Sequence, residues 1–184
     1  AGRMGDLGLN FVMLVHGEQR LTVHKPLPAA AEIISQGKIT GIYDKGEGKG
    51  ALLVSETLIS EKATGDKLCT LGSTALFRGD GGFGGATEGA PAPHPIPDRP
   101  ADGSFECKTE NWQALLYRLN GDRNPLHSDP EFAAAAGFPV PILHGLCTYG
   151  TTCRGVVANL CGYDNTRVKS FDVRFSSPVF PGET

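Results

Sequence analysis

Between residues 120 and 127 the chain reads Asn-Gly-Asp-Arg-Asn-Pro-Leu-His, and two of its side chains, Asp122 and His127, are of the types that move protons. Gly121 permits a turn, while Pro125 forbids regular helix and pushes Asn124 to an extended conformation. On a continuous helix, positions five apart point about 140° away from each other. A proline-stiffened loop is the better way to bring Asp122 and His127 to one point, where a carboxylate and an imidazole can share one water and act as general acid and base. Asn124 would orient that pair or the water through its amide, or else serve only as the residue before proline in a turn. The plainer alternative for the pair itself is that Asp122 caps the next turn and His127 is an ordinary polar loop residue.

The elements that must hold this loop are legible on both sides. Residues 110–119 carry apolar side chains at helical spacing (Ala114, Leu115, Tyr117, Leu119). The irregular stretch 121–130 follows, then a short helix at 131–136 and a longer one from about His144 to Leu160, with Gly162 as a C-terminal stop. Residues 168–175 alternate apolar and polar and read as a strand, as does the short segment 105–108. Upstream, the β-rich runs 20–24, 32–43, 51–60 and 67–77 are separated by Gly, Lys and Glu turns, which predicts an antiparallel meander. Between the two regions lie the glycine cluster 79–85 and the alternating prolines of 90–100, composition that suits a loop and an extended linker. The expected organisation is a first half over residues 1–86, a linker over 87–97 and a second half over 98–184. Lys25-Pro-Leu-Pro after one strand is echoed by Ser177-Pro-Val-Phe-Pro181 after another, suggesting two copies of one unit. On that reading the chain lacks the beginning of copy one and the end of copy two.

Composition excludes several function classes. Seventeen Lys and Arg against twenty Asp and Glu give a formal charge of −3, with no basic run to track a phosphate backbone. No stretch approaches the roughly 18 apolar residues of a membrane span, and no secretory pattern opens the chain, so a soluble intracellular protein is expected. The five cysteines include no C-x-x-C, which argues against a zinc knuckle or a disulfide framework and predicts reduced, mostly buried thiols. The spacing in 79–85 is not G-x-G-x-x-G and no helix follows it, so a dinucleotide loop is not expected.

Gly-Asp-x-Asn-Pro-Leu-His, followed by a small-residue helix and Pro141-Ile-Leu-His-Gly145, resembles the signature of the type 2 (R)-specific enoyl-CoA hydratases. These belong to the MaoC-like hot-dog group and occur as the hydratase domain of the peroxisomal multifunctional enzyme type 2. The resemblance extends in order through residues 11–19, 25–28, 44–46, 81–85, 96–100, 114–122 and 174–182. It implies an α+β double hot dog, two curled antiparallel sheets each around a central helix, here expected to lack the first half's helix and the second half's last strands. It also implies that the first half accommodates the acyl chain and CoA while the second keeps the hydratase motif.

Carried over by position, the resemblance makes Asp122 and His127 the catalytic pair, with Asn124 beside them. Its thioester-binding glycine falls on Gly145, whose N–H would open the longest helix as a donor to enolate charge; taken alone, Gly145 is an unremarkable helix-entry glycine. His144 is expected to pack or cap rather than catalyse. Ligand contacts of the family fall on His16, Gly17, Lys45 and Phe175. Lys45 would pair with CoA phosphates or be merely solvated, and Phe175 would line the pocket or simply be core. The loop 79–85 would lie near the CoA groove. The implied activity is reversible hydration of trans-2-enoyl-CoA to (3R)-3-hydroxyacyl-CoA in fatty-acid β-oxidation. No metal or cofactor is expected, CoA being part of the substrate. A peroxisomal location follows, with the chain a homodimer or fused to dehydrogenase domains. The alternatives are a hot-dog dehydratase acting on acyl-carrier-protein thioesters, a thioesterase, or a non-catalytic acyl-CoA binding fragment.

Overall fold

The computed structural model describes residues 8–184, which divide into two compact units. Among the described residues the first comprises 8–93 together with 169–174, and the second 94–168 together with 175–184.

Five strands build the first unit: β1 (Leu14–Val23), β2 (Ile33–Asp44), β3 (Ala51–Glu61), β4 (Lys67–Phe77) and β5 (Val173–Arg174). All pairings are antiparallel, and the order across the sheet is β2-β3-β4-β1-β5. The expected meander therefore holds only from β2 to β4. β1 pairs not with β2, its neighbour in sequence, but with β4, Leu14 opposite Phe77 and Val23 opposite Cys69. Local turn signals cannot reveal such a non-sequential pairing, because they say where a strand ends and not which edge is open. The register of β1 on β4 shifts between His16 and Glu18, and a Cβ on the intervening Gly17 would lie 3.1 Å from the Thr74 carbonyl oxygen. Gly17 thus permits the close backbone approach that the bulge requires. Ala51, Leu53 and Phe77 form the buried cluster of this unit, with Leu9, Leu14 and Ala75 packed around them.

The strand expected at 168–175 is regular only at Val173–Arg174. Its earlier part still runs along β1, with Val23 N–H donating to the Lys169 carbonyl at 2.8 Å and Leu21 and Phe171 exchanging backbone bonds. Asp172 Oδ1 takes a further bond from Leu21 N–H, at 3.2 Å.

The second unit is largely helical: α1 (Gln113–Tyr117), α2 (Pro130–Ala135) and α3 (Gly145–Leu160). α2 and α3 occupy the two helical stretches read from sequence. The third is shorter than its apolar spacing implies, α1 giving way to a 3-10 turn at Arg118–Asn120. Segment 105–108 is not a strand. A Cβ added to Gly155 would meet the Phe105 ring at 2.5 Å and Cys107 Sγ at 2.8 Å, so these alternating side chains pack on α3 where no partner strand is needed. Two buried clusters hold the unit together: Leu126, Ala133, Ala136 and Ile142, and Ala114, Leu143 and Cys147. All five cysteines are free, but only Cys69 and Cys147 are buried; Cys107, Cys153 and Cys161 are half-buried, which corrects the expectation of mostly buried thiols. Among the described residues no helix is long and apolar enough to cross a membrane.

Candidate active site

Gly121 ends the 3-10 turn after α1 with φ 109°, a left-handed conformation that redirects the chain at Asp122. Two side-chain-to-backbone bonds then stiffen the loop. Asp122 Oδ1 accepts from Asn124 N–H at 3.2 Å, and Asn124 Oδ1 accepts from Leu126 N–H at 3.1 Å, capping the 3-10 turn Pro125–His127. Asn124 itself is extended, φ −54° and ψ 121°, as a residue before proline must be. Leu126, 4% exposed, drives its side chain into the cluster with Ala133 and Ile142 and so anchors the loop midway between its two polar ends.

The opposite wall is the extended segment entering α3. Ile142 and Leu143 insert into different buried clusters, and Leu143 N–H bonds to the Val179 carbonyl at 2.7 Å. That leaves the Ile142 carbonyl to accept from His127 Nδ1 at 2.8 Å. A carbonyl can only accept, so Nδ1 of His127 carries the proton and Nε2 of the neutral ring offers a lone pair. Burial pushes the His127 imidazole below its ordinary range, against the bond to Ile142, and keeps it neutral at pH 7. Asp122 is exposed at the rim.

His144, 1% exposed, lies beneath this pair. Its ring stacks on His127, with centroids 3.8 Å apart and planes 27° apart, and its Nε2 donates to the Asp122 carbonyl at 3.2 Å. Tyr117 contacts it at 4.7 Å between ring centroids. Burial lowers the His144 pKa as well.

A carboxylate oxygen of Asp122 and one ring nitrogen from each of His127 and His144 lie within 4.8 Å of one another. Two groups bonded to one water at normal lengths stand about 4.5 Å apart, so this spacing accommodates a shared water. These residues are also of metal-ligand types. Stacked imidazoles, however, send their in-plane lone pairs side by side rather than toward one point, and each ring already commits a nitrogen to a carbonyl. The arrangement suits proton transfer better than chelation.

Gly145 follows His144 as the first residue of the 16-residue helix α3, where a backbone N–H has no intrahelical acceptor. No bond from the Gly145 N–H is found among the described residues. The Phe175 ring lies beside it, about 3.5 Å from where a Cβ would stand. Asp122, Asn124, His127, Gly145 and Phe175 thus all belong to the second unit.

His16, Gly17 and Lys45 belong to the first. His16 Nε2 lies 2.9 Å from the Glu18 carbonyl oxygen and 3.0 Å from Ser73 Oγ, on the bulged end of β1. Lys45 is exposed at the end of β2, next to the buried Asp44. The Asp44 carboxylate accepts from the backbone N–H groups of Gly46, Gly82 and Gly84, each at 2.8 Å, and bonds led by that from Gly82 hold its pKa below the usual carboxylate value. Asp44 therefore pins the glycine loop, whose Gly79, Gly81 and Phe83 line a cleft of about 560 Å³ with Leu9 and Ile42. His144 packs and stands at the head of α3 as expected, and also bonds to the Asp122 carbonyl. Asp44 is the residue the sequence reading lacks, although a carboxylate flanked by two glycine-rich turns is a signal for an anion that ties loops.

The architecture is α+β, with a carboxylate and an imidazole brought together beside a helix entrance, the hot-dog class. Residues 3–79 match the MFE-2 hydratase 2 N-terminal domain and residues 94–184 the MaoC-like domain. The chain belongs to the MaoC-like family. It is 48% identical to the 3-hydroxyacyl-thioester dehydratase Y of Mycobacterium tuberculosis, over 95% of this chain and 61% of that protein. It is 44% identical to the peroxisomal enoyl-CoA hydratase 2 of Arabidopsis thaliana, over 94% of this chain and 58% of the other. The structure of full-length peroxisomal multifunctional enzyme type 2 from Drosophila melanogaster matches with a TM-score of 0.79 and 39% identity, covering 91% of this chain and 30% of that one. A conserved M. tuberculosis protein with a double hot-dog fold matches at a TM-score of 0.57 and 13% identity, a likeness of fold alone. The chain spans about three fifths of the two curated relatives named.

Proposed function

We propose that the protein adds water to trans-2-enoyl-CoA, forming (3R)-3-hydroxyacyl-CoA, and catalyses the reverse elimination. The observation that carries this reading is the pairing of a neutral His127, its Nδ1–H spent on the Ile142 carbonyl and its Nε2 free, with the Asp122 carboxylate, a ring nitrogen and a carboxylate oxygen lying within 4.8 Å of each other. In the hydration, an O–H bond of water breaks as its oxygen bonds to the β-carbon, and a proton is delivered to the α-carbon. Asp122 and His127 hold and activate that water and return the proton, with Asn124 bracing the loop. As the carbon–carbon double bond is attacked, electron density moves to the thioester oxygen. The unpaired Gly145 N–H donates to it there, with no Cβ between backbone and substrate and Phe175 flanking the acyl group. His16, Gly17 and Lys45 are the residues of the first unit proposed to contact CoA. The chemistry calls for no cofactor beyond the CoA carried by the substrate.

The test is disappearance of the enoyl-thioester absorbance of trans-2-decenoyl-CoA, with the product's configuration read by a (3R)-specific dehydrogenase. Asp122→Ala and His127→Ala should each lower kcat about 10²- to 10⁴-fold while leaving the protein folded. Wild-type-like turnover by either variant refutes the assignment. Presenting the same acyl group on CoA and on acyl carrier protein separates the CoA hydratase from a carrier-protein dehydratase. The names of the plant and fly relatives support a peroxisomal location and, for the fly protein, a multifunctional chain; membership of such a chain, or of a homodimer, is part of the same proposal.

A further inference from the structure

We infer that His144 is a positioning residue of the hydration reaction: by donating to the Asp122 carbonyl and stacking on His127, it holds both members of the pair at a set distance from the Gly145 N–H. The inference rests on the hydratase reading above. Three features of the second unit converge on this one side chain. Its Nε2–H ties the backbone of Asp122 at 3.2 Å, its ring supports the His127 ring at 3.8 Å, and its own backbone leads directly into Gly145 at the start of α3. It has little freedom to move, being 1% exposed and bounded by Tyr117 on α1 as well as by His127.

The second nitrogen of His144 explains why an imidazole sits here in its neutral form. Nδ1 is buried with no hydrogen-bond partner among the described residues. Protonating it would bury an unsatisfied N–H and a charge, and that burial outweighs the Asp122 carbonyl and carboxylate, which favour a positive ring, with Arg118 adding to the burial effect. A neutral His144 can only present its Nε2 proton to the Asp122 carbonyl, which fixes the tautomer. Beneath His127 it is then a neutral surface, so the proton that His127 takes from water meets no second positive charge across the stack. A merely structural ring would do the stacking without the donor.

Two substitutions in the full-length protein separate these roles. His144→Phe keeps an aromatic ring and removes the donor; His144→Gln keeps an N–H near the Nε2 position. Loss of the tie should let the loop drift by an amount for which about 100-fold in kcat is a reasonable scale, with KM changed less than about twofold because the substrate's own contacts remain. His144→Gln should recover at least about tenfold of the kcat lost by His144→Phe. Wild-type kcat in His144→Phe, or no recovery in His144→Gln, overturns the inference, whatever happens to the melting temperature. If either variant fails to fold, nitrogen NMR of the imidazoles in the wild type decides. Protonated Nε2 on His144 together with protonated Nδ1 on His127 upholds the tie, and the opposite tautomer at His144 removes it. Absence of any enoyl-thioester hydration by the wild type would instead sink the activity reading, leaving the tautomers to decide the geometry alone.

Discussion

Replacing Gly145 by proline tests the oxyanion donor with little collateral damage. Proline removes one backbone N–H, and at the first position of α3 that N–H is one that no intrahelical carbonyl accepts. The residue before a proline must be extended; His144 already has φ −58° and ψ 133°. The added Cβ would meet the Phe175 ring at about 3.5 Å, ordinary van der Waals contact. The helix should therefore tolerate Gly145→Pro, and its thermal midpoint should change little. Catalysis should not tolerate it. Removing one oxyanion donor costs about 10²- to 10³-fold in kcat, roughly 3 to 4 kcal/mol of transition-state stabilisation. Gly145→Ala is the control, since it adds the same Cβ and keeps the N–H, so the ratio of the two variants isolates the donor. Steady-state hydration of trans-2-decenoyl-CoA supplies the numbers, with circular dichroism to establish folding. A folded Gly145→Pro protein whose kcat lies within threefold of Gly145→Ala would refute the oxyanion role of this N–H.

Two more predictions concern α3 and pH. Gly150 and Gly155 lie on the same helix, but a Cβ at Gly150 meets nothing within 4 Å whereas one at Gly155 runs into Phe105 and Cys107. Gly150→Ala should thus stabilise by about 1 kcal/mol through helix preference. At Gly155 the same gain is offset by overpacking of about 1 to 3 kcal/mol, so Gly155→Ala should be neutral to destabilising, and chemical denaturation giving both variants the same positive shift would contradict the packing described. Because burial lowers the His127 pKa below the ordinary imidazole value of about 6.5, the ring stays neutral at pH 7. The acid limb of kcat/KM should therefore fall with an apparent pKa beneath 6.5, and a limb above it would be inconsistent. The linkage has the same sign: unfolded His127 and His144 bind protons more readily than the folded pair, so stability should decline as pH drops below about 6.5.

The chemistry-bearing segment was legible because its information is local. Gly121, Asn124 and Pro125 prescribe backbone conformation within a few residues, and the structure contains the redirected chain, the extended residue before proline and the capped turn that those types demand. α2 and α3 were legible for a related reason, since Asp129 caps the first through its own side chain and Gly162, with a positive φ, follows the second. Elements whose state depends on a distant neighbour were not. Residues 105–108 alternate as a strand would but lie on Gly155, and β1 pairs with residues of β4 that are 46 to 63 positions away in sequence rather than with the strand that follows it. Asp44 is a similar case: its three backbone donors come from two loops some 38 residues apart.

From sequence alone, then, came the loop that carries Asp122 and His127 and the helix entrance at Gly145, because turn chemistry and capping act over one to four residues. Only the tertiary structure decided which nitrogen of His127 is free, since that depends on the Ile142 carbonyl 15 residues away. It likewise turned His144 from a packing residue into the tie between Asp122 and His127, 22 and 17 residues distant in the chain, a relation that exists only once α3 and the loop are folded against each other.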